Sequence, residues 1–232
     1  MIKSDKTISI TICKFQIVRI KLNSMSTSIS NALLNSYSYL EYRKLVIDLI
    51  TEGKSTGDEQ SQELLDYSIL NETRLKRLDK TISVSDENRV ALKVLESEYI
   101  WLVIAEGWCG DAAQILPVLN KMAIETDKIE LKIVLRDSNP DLMNQYLTNG
   151  GKAIPKLIII NAASGEVCNH WGPRPKGASD LIKNYKEQFG KVDEEAKKQL
   201  QLWYLHDKGL SIQNEIIEMM ASCVDECVCL QS

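Results

Sequence analysis

The chain has 232 residues, of which 44% are hydrophobic and 26% charged, with a formal charge of -4 at pH 7. It is long enough to bury a sizeable core as one or two domains, and its ordinary composition excludes disorder and collagen-like repeats. The longest uninterrupted apolar run, Tyr99 to Ala105, falls far short of the ~18 residues of a membrane-spanning helix, and the acidic balance argues against a nucleic-acid surface.

Residues 1–24 stand apart in charge. Lys3, Lys6, Lys14, Arg19 and Lys21 against Asp5 give +4, so the other 208 residues carry -8. Ile8, Ile10, Ile12, Ile17, Val18 and Ile20 are scattered among Thr, Lys and Arg, without the unbroken apolar core or small-residue cleavage site of a secretory signal. Met25, followed by Ser-Thr-Ser and a helical pattern, is expected to be the true start, leaving 1–24 as a non-native or disordered extension. An N-terminal strand and a mitochondrial-type leader are the other readings. There are six cysteines: Cys13, Cys109, Cys168, Cys223, Cys227 and Cys229. With three of them bunched near the end and no secretory signal, a disulfide framework is not indicated and a cytoplasmic location is expected.

From Ser28 to about Ser97 the pattern is helical. Leu33, Leu34, Tyr37, Leu40, Tyr42, Leu45, Val46, Leu49 and Ile50 form one apolar stripe that predicts a helix stopping at Gly53. Glu52 to Gln62 reads as a polar loop, and the Thr56–Glu59 spacing is that of a capping box before the next helix, with Leu64, Leu65, Ile69 and Leu70. Ser85 precedes a short helix carrying Val90, Ala91, Val94 and Leu95.

The texture then changes. Tyr99-Ile-Trp-Leu-Val-Ile-Ala predicts a buried strand, Ala112 to about Thr126 a helix, and Glu130–Leu135 a second strand. Asn139 and Pro140 are expected to open a helix ending near Gly150-Gly151. Strands follow at Lys156–Asn161 and Glu166–Trp171, then a helix from Ala178 to Phe189. The order β-α-β-α-β-β-α predicts an α/β core of parallel strands joined by crossover helices, then a hairpin. Two helices close the chain, Asp193–His206 and Ser211–Ala221. The expected organisation is a helical segment at 25–98, the α/β domain at 99–190 and a helical extension at 191–232.

Chemistry concentrates at Glu106-Gly-Trp-Cys-Gly-Asp-Ala-Ala, which puts Cys109 after a strand and at the opening of a helix. Amide groups and the helix dipole stabilise a thiolate there, and the thiolate is the reactive form. Trp108 can shield the sulfur and Gly110 permits close approach by a partner; the alternative is a small buried cysteine at a strand–helix junction.

Trp108-Cys109-Gly110-Asp111-Ala112 resembles the active-site loop of the thioredoxin family, Trp-Cys-Gly-Pro-Cys, with both final positions changed. Pro117 falls where that family kinks its active-site helix. Ile154-Pro155, 46 residues after Cys109, resembles the cis-proline that faces the active cysteine. The helical flanks and Trp171-Gly-Pro-Arg-Pro resemble a bacterial group of thioredoxin family proteins. The resemblance implies a thioredoxin-like core with helical N- and C-terminal extensions, Cys109 as nucleophile, and Trp108, Gly110, Asp111, Ile154 and Pro155 as substrate contacts. No cofactor and no metal are implied.

Two departures limit what carries over. Ala112 replaces the resolving cysteine, so completing any cycle needs another thiol, from a glutathione-like small molecule or from elsewhere in the chain. Val103 stands where the family buries an aspartate, six residues before the cysteine. Asp111 suits a first helical turn but, two residues from Cys109, opposes a thiolate. Lys156 either offsets it or is a solvated charge at the strand edge. Trp171 and Arg174, in a turn stiffened by two prolines, are candidate modulators; Arg174 and Lys176 would suit an acidic partner or carboxylate, or simply belong to a connecting loop. Cys168 reads as a small core residue and His170 as a half-exposed strand residue. Cys223, Cys227 and Cys229 are either a frayed end or a three-thiolate site.

The expected function is that of a single-cysteine thiol–disulfide oxidoreductase, acting through Cys109 on protein or small-thiol mixed disulfides and regenerated by an external thiol. The rival is a non-catalytic peptide- or protein-binding module with a groove around Trp108, Pro155 and Trp171. Peroxidase chemistry is disfavoured, because Glu106 occupies the place of the usual Thr or Ser.

Overall fold

The computed structural model describes residues 25–229, with side chains placed through Cys223. The expectations for residues 1–24, Cys13 and the side chains of Cys227 and Cys229 lie outside the described residues. The architecture is mixed α/β: a four-stranded sheet with helices before, within and after it.

The sheet is built from β1 (Tyr99–Ala105), β2 (Ile129–Leu135), β3 (Lys156–Asn161) and β4 (Val167–Trp171), in the order β2-β1-β3-β4. β1 and β3 are almost wholly buried, which explains their unbroken apolar runs: a central strand covered on both faces has no polar side to alternate with. β1 pairs with β2 in parallel, through α5 (Gly110–Ala123). The expected second parallel crossover does not form, because β3 runs antiparallel to β1. The helix between β2 and β3, α6 (Pro140–Met143), has only four residues and rises about 6 Å. A seven-residue strand spans about 23 Å. The chain therefore re-enters the sheet near the end it left, and the helix expected to reach Gly150 is replaced by turns closed by a Thr148–Gly151 bridge.

The N-terminal stripe is two helices, α1 (Thr27–Leu34) and α2 (Tyr39–Thr51), and not one. Between them Tyr37 leaves the helix: its N–H donates to the Ile133 carbonyl at 2.8 Å and its carbonyl accepts from the Ile133 N–H at 2.8 Å. Ser38 then restarts the helix in a capping box with Glu41. α3 (Gln62–Thr81) begins at Ser61, whose hydroxyl accepts from the Leu64 N–H at 3.3 Å. Thr56 is not the cap that its spacing suggested, since its hydroxyl is taken by the Gly107 N–H at 2.8 Å. α2 and α3 are joined by Arg43, which binds Glu72 at 2.5 Å.

α4 (Asp86–Lys93) and α7 (Lys176–Phe189) lie within two residues of their expected starts, and α8 (Glu194–Asp207) is capped by Asp193. α9 (Leu210–Cys229) returns across the molecule to α4, α5 and β4. Its Gln213, buried, accepts from the Ser85 N–H at 3.0 Å and donates to the Ser83 carbonyl at 3.1 Å. The core is continuous from α1 through the sheet to α9, so the helical flanks pack on the sheet. No helix of the described residues is long and apolar enough to cross a membrane.

Candidate functional site

The β1–α5 junction turns on Cys109, the N-cap of α5. Its Sγ takes the place of a capping hydroxyl, accepting from the Ala112 N–H at 3.5 Å, while the thiol donates to the Ile154 carbonyl at 3.4 Å. The residue is only 8% exposed. Burial, with the Asp111 carboxylate next in importance, pushes the thiol pKa up to about 12; the Ala112 and Asp111 amides and the Arg174 guanidinium pull the other way without prevailing. The helix terminus is thus outweighed by desolvation and one like charge.

Asp111 is more than a first-turn carboxylate. Although it sits in the first turn of a helix, it is buried and receives three hydrogen-bond donors from two distant residues. Arg174, just before α7, donates at 2.8 Å from Nε and 2.6 Å from Nη2, and Tyr204 of α8 donates its hydroxyl at 2.9 Å. Burial works against the Arg174 charge, but Asp111 more than restores it and leaves its pKa raised. The Tyr204 hydroxyl is pushed far up, by burial first and Asp111 second. A fork-shaped guanidinium meeting a carboxylate is the stronger kind of charged hydrogen bond, and here it joins α5, α7 and α8 beside the thiol.

On the other side, the Ile154–Pro155 and Gly172–Pro173 peptide bonds are both cis. Gly172 approaches so closely that a Cβ there would stand 2.3 Å from the Pro155 carbonyl oxygen. Lys156 is neither a solvated edge charge nor a neighbour of the thiol. It is buried, its ammonium donating to the Thr148 hydroxyl at 2.8 Å and the Gly172 carbonyl at 2.9 Å, and burial lowers its pKa. Trp171 is buried too, with its indole N–H on Glu215 of α9 at 2.7 Å. Lys176 is exposed and pairs with Asp180 at 2.5 Å. His170 meets the Tyr146 ring edge-on at 5.5 Å.

A cleft of about 680 Å³ opens over the thiol. Trp108, Cys109, Gly110, Asp111, Ile154 and Arg174 line it, so six of the nine residues singled out from the sequence are brought together. Pro155, Lys156 and Trp171 are not in its wall, so this cleft is not the groove expected around Trp108, Pro155 and Trp171. The Trp108 ring carries the Arg136 guanidinium at 4.8 Å from its centre. Among the described residues no group of three His, Cys, Asp or Glu is placed to hold a metal.

Glu106 enters the sequence pattern only as a departure from the usual Thr or Ser. It is fully buried; one carboxylate oxygen accepts the Asp137 N–H at 3.1 Å and Oε2 has no hydrogen-bond partner. Burial raises its pKa. Together with Thr56 and Asn71, whose amide donates to the Gly107 carbonyl at 2.9 Å, it anchors the loop carrying Cys109. A charge at the end of an apolar run, just ahead of Gly-Trp-Cys, is the one signal of it in the sequence. A raised folded pKa means that folding loses stability as pH climbs past the unfolded carboxyl value of about 4.3. Glu106→Gln keeps the acceptor for Asp137 and removes the charge. It should raise the unfolding midpoint at pH 7 by about 2–4 °C, the shift that ~1 kcal/mol gives a chain of this size, with no gain at pH 3.5. A midpoint lowered at pH 7 would show the buried carboxylate to be stabilising.

Comparison with known proteins bears on this arrangement. A family model described as Thioredoxin matches residues 57–186. An HIV epitope-scaffold of known structure is 17% identical, with a TM-score of 0.51, over 80% of this chain and 98% of that chain. A protein of unknown function from Pseudomonas aeruginosa is 16% identical over the same shares, with a TM-score of 0.49. At 17% identity, the likeness to the epitope-scaffold speaks to fold alone. No curated protein matches the chain.

Proposed function

The chain belongs to the thioredoxin family, and from that premise we propose that it is a monothiol thiol–disulfide exchange protein with Cys109 as its only reacting sulfur. The observation that carries this reading is that the Cys109 Sγ caps α5, with the Ala112 N–H directed at it, and that Cys109 lines an open cleft. Cys109 gives its proton to solvent, and the thiolate attacks one sulfur of a protein or low-molecular-weight mixed disulfide. The new bond is a mixed disulfide on Cys109, and the displaced sulfur leaves as thiolate. An external thiolate, such as a reducing cytoplasm supplies, then attacks the substrate sulfur and expels Cys109. With Ala112 in the usual partner position, the protein supplies no second thiol there.

The protonated resting thiol sets the pH dependence. Because the pKa is raised to about 12, the thiolate fraction should climb tenfold per pH unit across the neutral and mildly alkaline range. Alkylation of Cys109, followed by peptide mass spectrometry, is therefore expected to accelerate about tenfold per unit from pH 7 to 10 without levelling. Mixed-disulfide formation should follow the same slope and vanish in Cys109→Ser. A plateau below pH 9 would contradict the raised pKa; exchange that survives Cys109→Ser would overturn the assignment.

The same raised pKa favours a second reading, a binding module that holds its ligand without a covalent step. It is distinguished by ligand capture that persists in Cys109→Ala while the wild-type protein forms no adduct.

A further inference from the structure

The cleft is charged against the trend of the molecule. The chain as a whole carries -4, yet the cleft is lined by six cationic side chains and three carboxylates. Four of those cations are answered locally: Arg174 by Asp111, Arg136 by Asp137, Lys197 by Glu194 and Lys198 by Glu195. Arg74 and Lys152 have no ion-pair partner among the described residues. Arg74 donates only to the neutral Asn71 amide oxygen, at 2.8 Å. It is half-buried and shares its stretch of α3 with Arg77, whose charge, after burial itself, disfavours the Arg74 cation. Its Nη1 lies 3.4 Å from where a Cβ on Gly110 would stand, so it reaches the residue next to the thiol. Lys152 is exposed and also lines the cleft, two residues before Ile154.

We infer that the cleft selects a small disulfide bearing carboxylates, its acid groups taken by Arg74 and Lys152 while one sulfur meets Cys109. Two cations without an ion-pair partner, against one such carboxylate, Glu63, leave the cleft wall with an excess of positive charge that favours an anion over a cation. A volume of about 680 Å³ fits a small molecule better than a folded protein surface. The inference rests on the exchange reading for its chemistry, though not for its binding: the carboxylates are recognised before any bond forms. The covalent step is the one already balanced above, with a carboxylate-bearing thiolate as the leaving group.

Two experiments separate the inference from the reading it rests on. In the first, Cys109→Ser is titrated calorimetrically with glutathione disulfide as the anionic probe and cystamine as the cationic one. Glutathione disulfide should bind, and its affinity should fall at least about tenfold between 50 and 500 mM salt, because exposed charges are screened. Adding Lys152→Gln to the same protein should weaken it a further ~5-fold, and adding Arg74→Gln by as much or more. Lys152 is exposed, so its substitution leaves the fold intact even if loss of Arg74 disturbs Asn71. Equal binding of cystamine, no binding of glutathione disulfide, or indifference to Lys152→Gln would each overturn the inference. In the second, wild-type protein is treated with glutathione disulfide, cystamine or neutral hydroxyethyl disulfide. Faster adduct formation with glutathione disulfide supports the inference, whereas equal rates with all three sink it and leave the exchange reading standing. Anion binding to Cys109→Ser without any wild-type adduct would sink the exchange reading and leave the inference standing.

Discussion

Gly172→Ala is expected to lower the unfolding midpoint by at least about 6 °C. Two effects add at this position. The residue sits at φ 109, outside the region L side chains adopt, and a Cβ would be 2.3 Å from the Pro155 carbonyl oxygen, a backbone atom that cannot swing aside. Backbone strain and overpacking together cost about 3 kcal/mol or more, and each kcal/mol moves the midpoint by about 2–4 °C in a chain of this length. Gly190→Ala is the control. It too has positive φ, at 75, but an added Cβ there meets nothing within 4 Å, so only the conformational cost of about 1–2 kcal/mol applies. Equal losses in the two variants would show that the close approach to Pro155 contributes nothing. Because the Gly172 carbonyl also receives the Lys156 ammonium, relief of the clash must disturb both ends of the loop against which Cys109 rests.

Asp111→Asn is expected to have the largest effect on reactivity. The carboxylate is the second cause, after burial, of the raised thiol pKa. Asparagine fills the same space, and its oxygen can still receive Arg174 while its amide donates to the Tyr204 hydroxyl. What disappears is the negative charge two residues from the sulfur, and Arg174 is left as an unneutralised cation. Both changes favour the thiolate, so the pKa falls, and at a fixed pH below it the thiolate fraction rises. Alkylation of Cys109 at pH 8 should be at least about tenfold faster, the equivalent of one pKa unit. Stability should fall by about 2–3 kcal/mol, less than for a fully buried broken pair, because the Arg174 side chain remains 29% exposed. An unchanged alkylation rate would mean that burial alone keeps the thiol protonated.

The core elements were legible because they depend on local texture. The run from Tyr99 to Ala105 is too apolar and too β-branched for a surface element, and Trp108-Cys109-Gly110 marks the helix opening that follows. What the sequence hid was decided by contacts between distant segments. The break at Tyr37 interrupts an otherwise continuous apolar stripe because its backbone is bound to Ile133, and the Ser38–Glu41 spacing that announces the new helix was as readable as the Thr56–Glu59 spacing that misled. Thr56 is drawn to Gly107, 51 positions away. Asp111 is fixed by partners 63 and 93 positions along the chain, so its burial has no counterpart in local pattern. Lys156 shows the same limit in reverse: a lysine opening a strand reads as solvated, yet Thr148 and the Gly172 carbonyl satisfy it within the protein.

The Tyr37–Ile133 bridge has a consequence for how the protein meets other chains. β2 is the outermost strand on its side of the sheet, and an outer strand with bare N–H and C=O groups is a template on which a foreign strand can add. At Ile133, within β2 and paired with Val103, both backbone groups are already occupied from within. An incoming extended peptide could gain at most an interrupted ladder, a few bonds to either side of an obstacle that belongs to the protein itself. The four residues that part α1 from α2 thus leave this border of the sheet without a continuous row of free backbone groups.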